Sequence, residues 1–313
     1  MKKSMQKIVT IGGGTGHFQL LRGLKNYECN ITAICNTSDN GGSSGKLRDE
    51  YGILPPGDIR QCMIALAPED ESRILRRLFN YRFKDGHNLG NLIITAASEI
   101  LGGPVQGIKA TGKLLGIEGK VLPVSIDDCQ LVAETLEGKI LKGEGEVNSP
   151  YDKETIIKDI WHEPKAFLYK EAASEIRSAD KIVICPGDLY GSIIPNLIVE
   201  SMSSVLSESK GMRIYVCNLF TKEGTYNFKA SDFVKEIEKY ARVKMDRIIV
   251  NVGKPKGETI EKYFSEHSKL VEDDLSEDNR IIRGEFAAEY SSEPKTILRH
   301  IPEKIAHAII GLS

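Results

Sequence analysis

Residues 6–35 read QKIVTIGGGTGHFQLLRGLKNYECNITAIC, and the order of elements in this stretch decides the fold. Residues 6–11 form a short β-rich run that meets Gly12-Gly13-Gly14-Thr15-Gly16. HFQLLRGLKNY then places Leu20, Leu21 and Leu24 at helical spacing. NITAIC, residues 30–35, reads as a second strand. Strand, glycine loop, helix and strand in that order open a parallel α/β sheet.

Working outward, a helical block follows. In DIRQCMIALA the residues Ile59, Cys62, Met63 and Leu66 share a face, and Asp58 is placed to cap it. ESRILRRLFNYRF continues with Ile74, Leu75, Leu78 and Phe79. In NLGNLIITAASEIL the residues Leu89, Leu92, Ile93, Ala96, Ala97 and Ile100 form one apolar stripe, expected to face the core. From residue 120 to about 146 the pattern alternates, so KVLPVSID, QLVAETL and GKILKGEGEV are expected as a small antiparallel group. That group falls in a β-rich subregion at 116–168, with DIWHEPKAFL extended too, because Glu163-Pro164 disfavours helix. The α/β rhythm then returns through KEAASEIRSA, DKIVICPGD, IPNLIVESMSSVL, MRIYVCNL, ASDFVKEIEKYA and DRIIVN. A helix near 259–266, a short strand at IIRGEF and a closing helix in PEKIAHAII complete the tail. The acidic VEDDLSED stretch reads as a solvated loop. The expected architecture is a single Rossmann-like nucleotide-binding unit over 1–313. Its mostly parallel sheet is flanked by helices, with the helical block and the antiparallel group inserted.

Bulk composition narrows the function. The 313 residues suit one large α/β unit, and 42 Lys+Arg against 44 Asp+Glu leave a net charge of -2. No field of one sign points to nucleic acid or an anionic membrane, so neither nucleic-acid binding nor membrane insertion is expected. The apolar run at 8–11 is too short for a secretory leader core, and a cytoplasmic location is expected. The cysteines at 29, 35, 62, 129, 185 and 217 include no C-x-x-C pair, and the histidines show no ligand spacing. These cysteines are expected as buried, reduced hydrophobes, with no metal site.

Polar residues gather where the strands end. The first strand ends in the Gly12–Gly16 loop and the second in Asn36-Thr37-Ser38-Asp39. Later strands end in Pro186-Gly187-Asp188, in Asn218 and in Asn251. In open α/β sheets the ligand crevice lies outside such carboxyl ends, although each cluster taken singly also suits a plain turn. GGGTG misses the dinucleotide fingerprint because His17 stands where its third glycine belongs. Bare amides ahead of a helix still suit a diphosphate. SDNGGSSGKLR misses the P-loop pattern, since Asn40 and Leu47 replace its first glycine and its hydroxyl. The same stretch can still form an anion nest from residues 40–45, with Lys46 and Arg48 as flanking cations. His87 and Asn88 either cap the helix that follows or, with Asn91, face the ligand.

GGGTG, SDNGGSSGKLR, ILPPGDIRQCMIALA, HNLGNLI, ICPGDLYGSIIPNLIV and VNVGKP, in this order, resemble the gluconeogenesis-factor family. That family is the uridine-diphosphate-sugar-binding branch of the group that includes 2-phospho-L-lactate transferase. The resemblance implies a Rossmann-like core with nucleotide contacts at Gly12, Gly13, Gly14, Thr15, Asp39, Asn40, Gly41, Gly42, Ser43 and Ser44. It implies further contacts at Asp58, His87, Asn88, Asn91, Gly187, Asp188, Gly191, Ser192, Asn218, Asn251, Tyr263 and Arg299. The family pattern has two adjacent acids where this chain has Asp39-Asn40, which weakens a two-acid magnesium site. His17-Phe18-Gln19 also departs from the small residues usual there.

The resemblance implies a UDP-sugar-binding regulator of growth, cell shape and wall synthesis on gluconeogenic carbon, without an assigned catalytic residue. Its implied partners are a nucleotide-diphosphate ligand, wall-synthesis or regulatory proteins, and a second copy of the chain in a homodimer. The alternative is a transferase of the 2-phospho-L-lactate type, in which Asp39 or Asp58 holds magnesium or takes a hydroxyl proton. The low aromatic content, 7%, leaves few residues for the flat acceptor pocket such an enzyme needs.

Overall fold

The computed structural model describes residues 5–69, 73–149, 155–292 and 295–312. The chain opens with β1 (Gln6–Gly12), α1 (Gly14–Leu24) and β2 (Cys29–Cys35). The helical block holds α2 (Gly42–Tyr51), α3 (Gly57–Leu66), α4 (Arg73–Asn80), α5 (Leu89–Ile100) and α6 (Pro104–Leu114). Next come β3 (Lys120–Pro123), β4 (Gln130–Thr135), β5 (Ile140–Lys142), α7 (Glu144–Asn148) and β6 (Ile157–Glu163). The second half runs α8 (Lys170–Ser178), β7 (Lys181–Ile184), α9 (Ile194–Leu197), α10 (Met202–Glu208), β8 (Met212–Val216), α11 (Ala230–Ala241) and β9 (Arg247–Asn251). It closes with α12 (Gly257–Ser265), β10 (Ile281–Gly284), β11 (Ala287–Ser292), β12 (Lys295–His300) and α13 (Pro302–Ile310).

Seven parallel strands form the main sheet in the order β10-β9-β8-β7-β1-β2-β3. The chain leaves β1 toward β3, returns to β7 and then moves the other way. The switch of direction therefore falls between β1 and β7, where a ligand crevice belongs in this topology. Alternate residues of one strand enter opposite layers: Ile8 joins one apolar cluster, while Val9 and Ile11 join the other. Helices cover both faces, so strands such as KIVI are buried throughout. The antiparallel sheet β5-β4-β6 packs into the same layer as Val9 and Ile11, through Leu131, Leu141 and Ile160.

Several local expectations change. KVLP pairs in parallel with β2 and completes the main sheet, since Val121 and Leu122 are buried against its two faces. GEGEV is not strand; it contains the start of α7, whose Gly143 cap has φ 85. GSSGKLRDEY is helical and not an open nest. IPNLIVESMSSVL breaks into α9 and α10 because Glu200 pairs with the segment before α8, its N–H donating to Ala166 and its carbonyl accepting from Leu168. The α5 stripe is reversed. Gly90, Asn91, Ile94, Thr95 and Ser98 face inward, while Ile100 is 81% exposed. Small residues govern this face: a Cβ on Gly107 of α6 would lie 2.3 Å from Ser98 Oγ, so the two helices meet too closely for leucines. Of the α4 residues, Phe79 is buried while Ile74 and Leu78 are exposed. The helix α6 and the β11–β12 hairpin carried no expectation. Among the described residues no helix is long and apolar enough to cross a membrane.

The contact of α1 with α13 joins the two ends of the chain. A Cβ on Gly23 would lie 2.1 Å from the Pro302 carbonyl oxygen. Alanine on a free helix face gains about 1 kcal/mol over glycine, whereas overpacking costs about 1–3 kcal/mol. Gly23→Ala is therefore expected to lower the melting temperature; an increase would show that the two helices do not meet there.

Candidate functional site

The crevice is built on the end of β1. Gly13 caps α1 in an extended conformation, and a Cβ there would lie 2.1 Å from Asp58 Oδ2. The missing side chain lets Asp58 reach across, and Gly14 N–H donates to its Oδ1 at 2.8 Å. Asp58 thus sits in the first turn of α3 and occupies one amide of the α1 N-terminus, instead of capping its own helix as expected. Gly12 lies in the strand, and Thr15 is exposed in the first turn of α1. Gly16 must be glycine because a Cβ would lie 1.9 Å from the Pro186 carbonyl oxygen.

The Asp39–Ser44 stretch folds over the start of α3. Asp39 Oδ1 accepts from Gly41 N–H at 2.8 Å. Its Oδ2 and Ser44 Oγ lie against Gly57. Gly41 caps α2 and Gly42 starts it with φ 48, both exposed. The first amides of α2 therefore open beside the Asp58 end of the crevice, and a helix N-terminus favours an anion there. Ser43 Oγ accepts from Asn88 N–H at 3.2 Å and stands 3.4 Å from His87 Nδ1. Asn88 caps α5 by accepting from Asn91 N–H, and Asn91 Oδ1 accepts from Arg60 at 2.9 Å. His87, Asn88 and Asn91 thus brace the loop from behind. Asn40 accepts from Gly145 N–H at 3.0 Å and ties α7 to the loop. Neither flanking cation turns into the crevice: Lys46 donates to the Asp85 carbonyl, and Arg48 pairs with Asp49. Once this segment is helical, side chains two apart diverge.

The opposite wall follows β7. Gly187 approaches the Gly13 carbonyl, with an added Cβ only 3.4 Å away. Asp188 accepts from Gly191 N–H at 3.1 Å, capping a π-helical turn at Leu189–Ile193 that contains Ser192, and it pairs with Lys222 at 3.1 Å. Asn36 bridges the walls by donating to the Gly191 carbonyl at 3.1 Å. Asn218 donates to the Gly187 carbonyl. Asn251 is taken up by Phe286 N–H and the Gly253 carbonyl, so it shapes the tail. Beside this wall lies a cavity of about 290 Å³ that reaches Thr15, Gln19, Phe220, Tyr263 and Arg299. Tyr263 stacks on Phe220 with centroids 3.9 Å apart, and its hydroxyl accepts from Leu298 N–H. Gln19 Oε1 is buried in this region without a hydrogen-bond partner.

Glu144 completes the site and carried no sequence expectation. It starts α7, hydrogen-bonds Asp39, and accepts from Asn148 Nδ2 at 2.7 Å. Burial, then the charge of Asp39, pushes its carboxyl from 4.5 up to about 8. Asp58 is pushed from 3.8 up to about 7, first by burial; Asp39 adds to this, while the Gly14 N–H and Arg60 oppose it. An acid opening a short helix inside an apparent strand leaves little trace in sequence; the glycines around it, GEGE, were the available signal.

The folded state therefore holds protons on Asp58 and Glu144 that the unfolded chain loses in the ordinary carboxylate range. Their contribution to stability is complete below that range and is lost as pH rises through about 7 and about 8. The buried His17, His162 and His300, each lowered from 6.5 to about 4, act oppositely and only below the ordinary histidine range. Between about pH 6.5 and about 8 the melting temperature is expected to fall, and Glu144→Gln to flatten that fall. Melting curves across this window, flat or rising in the parent protein, would contradict it.

Over residues 8–287 the chain matches the family described as 2-phospho-L-lactate transferase CofD. A gluconeogenesis factor of Halalkalibacterium halodurans is 37% identical across 99% of this chain and 97% of that protein. The gluconeogenesis factor of Bacillus subtilis is 35% identical across 98% of each. The crystal structure of protein BH3568 from Bacillus halodurans superposes with a TM-score of 0.91 at 35% identity, covering 98% of this chain and 100% of that one. The parallel sheet, the glycine-lined crevice and these full-length likenesses agree, and the chain belongs to the CofD family, on its gluconeogenesis-factor branch.

Proposed function

We propose that the crevice binds a nucleotide-diphosphate sugar, a UDP-sugar in particular, and that the protein is a cytoplasmic, non-catalytic regulator. The observation that carries this reading is that one helix start serves two compartments. The first turn of α1 meets Asp58 on one side, and Thr15 and Gln19 border the cavity of Phe220, Tyr263 and Arg299 on the other. A diphosphate fits the amide-rich floor. A base and sugar fit the aromatic cavity, where the unpartnered Gln19 Oε1 would accept from the ligand and Arg299 would donate to it. Neutral Asp58 and Glu144 reduce repulsion of the phosphates and can donate to them. Ligand binding would order the start of α2 and change which partner is held. Wall-synthesis or regulatory proteins, and a second copy of the chain, are the proposed readers of that state. Control of growth, cell shape and wall synthesis on gluconeogenic carbon is the proposed outcome.

A second reading, transfer from a nucleotide-diphosphate donor, is favoured by the Asp39–Glu144 carboxyl pair. Magnesium commonly takes one or two carboxylates plus phosphate oxygens. Asp39 and Glu144 fit that habit and would hold the ion, which would supply charge neutralisation at the phosphates. Asp58 would keep its proton near the reacting oxygen.

Calorimetry with UDP-glucose is expected to show binding and a raised melting temperature, with the nucleotide recovered intact by phosphorus NMR. Arg299→Ala is expected to weaken binding about ten- to a hundredfold, as for a lost charge-assisted hydrogen bond. Steady consumption of the nucleotide would favour the transferase. Absence of binding to any nucleoside diphosphate would remove both readings.

A further inference from the structure

The fold gathers a second constellation beneath the crevice floor. His17, on the first turns of α1, Cys35, at the end of β2, and Cys62, on α3, bring their ligating atoms within 4.8 Å of one another. All are buried, at 0%, 0% and 1% exposure. His17 Nδ1 stands 3.5 Å from Cys62 Sγ. In a tetrahedral zinc site with Zn–S of about 2.3 Å and Zn–N of about 2.0 Å, nitrogen and sulfur ligands lie about 3.5 Å apart. His17 Nε2 meets Thr10 Oγ1 at 2.8 Å, and Thr10 is itself fully buried. His17 also has a backbone hydrogen bond at Gly12. In the bound state Nε2 would donate to the Thr10 hydroxyl and leave the Nδ1 lone pair to the ion, as metal-bound histidines characteristically donate their other ring N–H.

We propose that His17, Cys35 and Cys62 form a buried structural site for one soft divalent cation of the zinc type, with Thr10 orienting the histidine. Thiolate and imidazole ligands select such an ion over magnesium or calcium. Charge balance suits the apolar surroundings: two thiolates and a neutral imidazole cancel a dication. Binding replaces two S–H bonds by two S–metal bonds and releases two protons to water, with no change of oxidation state. Burial raises the Cys62 thiol well above its ordinary value and lowers His17 to about 4. Cys185 lies across Gly12 from Cys35 in the same apolar layer but outside the group of three, and its thiol is directed at the Val183 carbonyl. The ion would pin β1, β2, α1 and α3 together. Of these elements α1 carries Gly14 and α3 carries Asp58, so the site would stiffen the crevice floor from below.

Protein expressed with zinc and desalted under reducing conditions is expected to retain about one zinc per chain by mass spectrometry. Cys62→Ala and His17→Leu are expected to lose it, and Cys129→Ala, a buried cysteine outside the cluster, to keep it. Cobalt supplied during refolding of the parent chain should give the thiolate charge-transfer and tetrahedral ligand-field bands. Parent protein with no more zinc than Cys62→Ala overturns the proposal. If the variants fail to fold, a parent cobalt complex lacking the thiolate bands overturns it alone.

Discussion

The site depends on one close approach: the carboxyl of Asp58 against the bare backbone of Gly13 and Gly14. It joins the start of α3 to the start of α1 at the end of the central strand. A side chain at Gly13 would have to occupy the carboxyl's own position. Removing it lets two helix N-termini share one wall, and the start of α2 is added through Asp39 and Ser44 against Gly57. The crevice is thus a meeting of helix ends more than a loop wrapped around a ligand.

That construction has an electrostatic consequence. Helix N-termini favour negative charge, yet Asp39, Asp58, Glu144 and Asp188 already stand there. Burial resolves the conflict by keeping protons on Asp58 and Glu144, while Asp188 is neutralised by Lys222. The cations that flank the glycine-rich stretch in sequence take no part. The diphosphate proposed for this crevice would meet backbone amides with neutral carboxyls beside them.

How much could be read in advance varied with the range of the interaction. The strands were legible because burial on both faces leaves continuous apolar runs such as IIV and KIVI. The α5 stripe misled because periodicity reports a face and not its direction. Here Gly107 and Ser98 demand a close helix pair, so the polar face went inward and Ile100 outward. KVLP looked antiparallel because its sequence neighbours are, although its hydrogen bonds go to β2. Asn88 was legible as a cap, since capping is local. Its link to Ser43 was not.

By itself the sequence determined the parallel α/β class, the glycine-bearing strand ends and the side of the sheet where polar residues collect. These follow from residue types and short-range periods. Only the tertiary structure decided which polar groups face the crevice and which brace it, that Glu144 joins Asp39, and that His17, Cys35 and Cys62 share one point in the core. Those outcomes rest on contacts between segments 18 to over 100 residues apart, where a fraction of an ångström in helix approach selects the partner, and no local pattern in the chain encodes that distance.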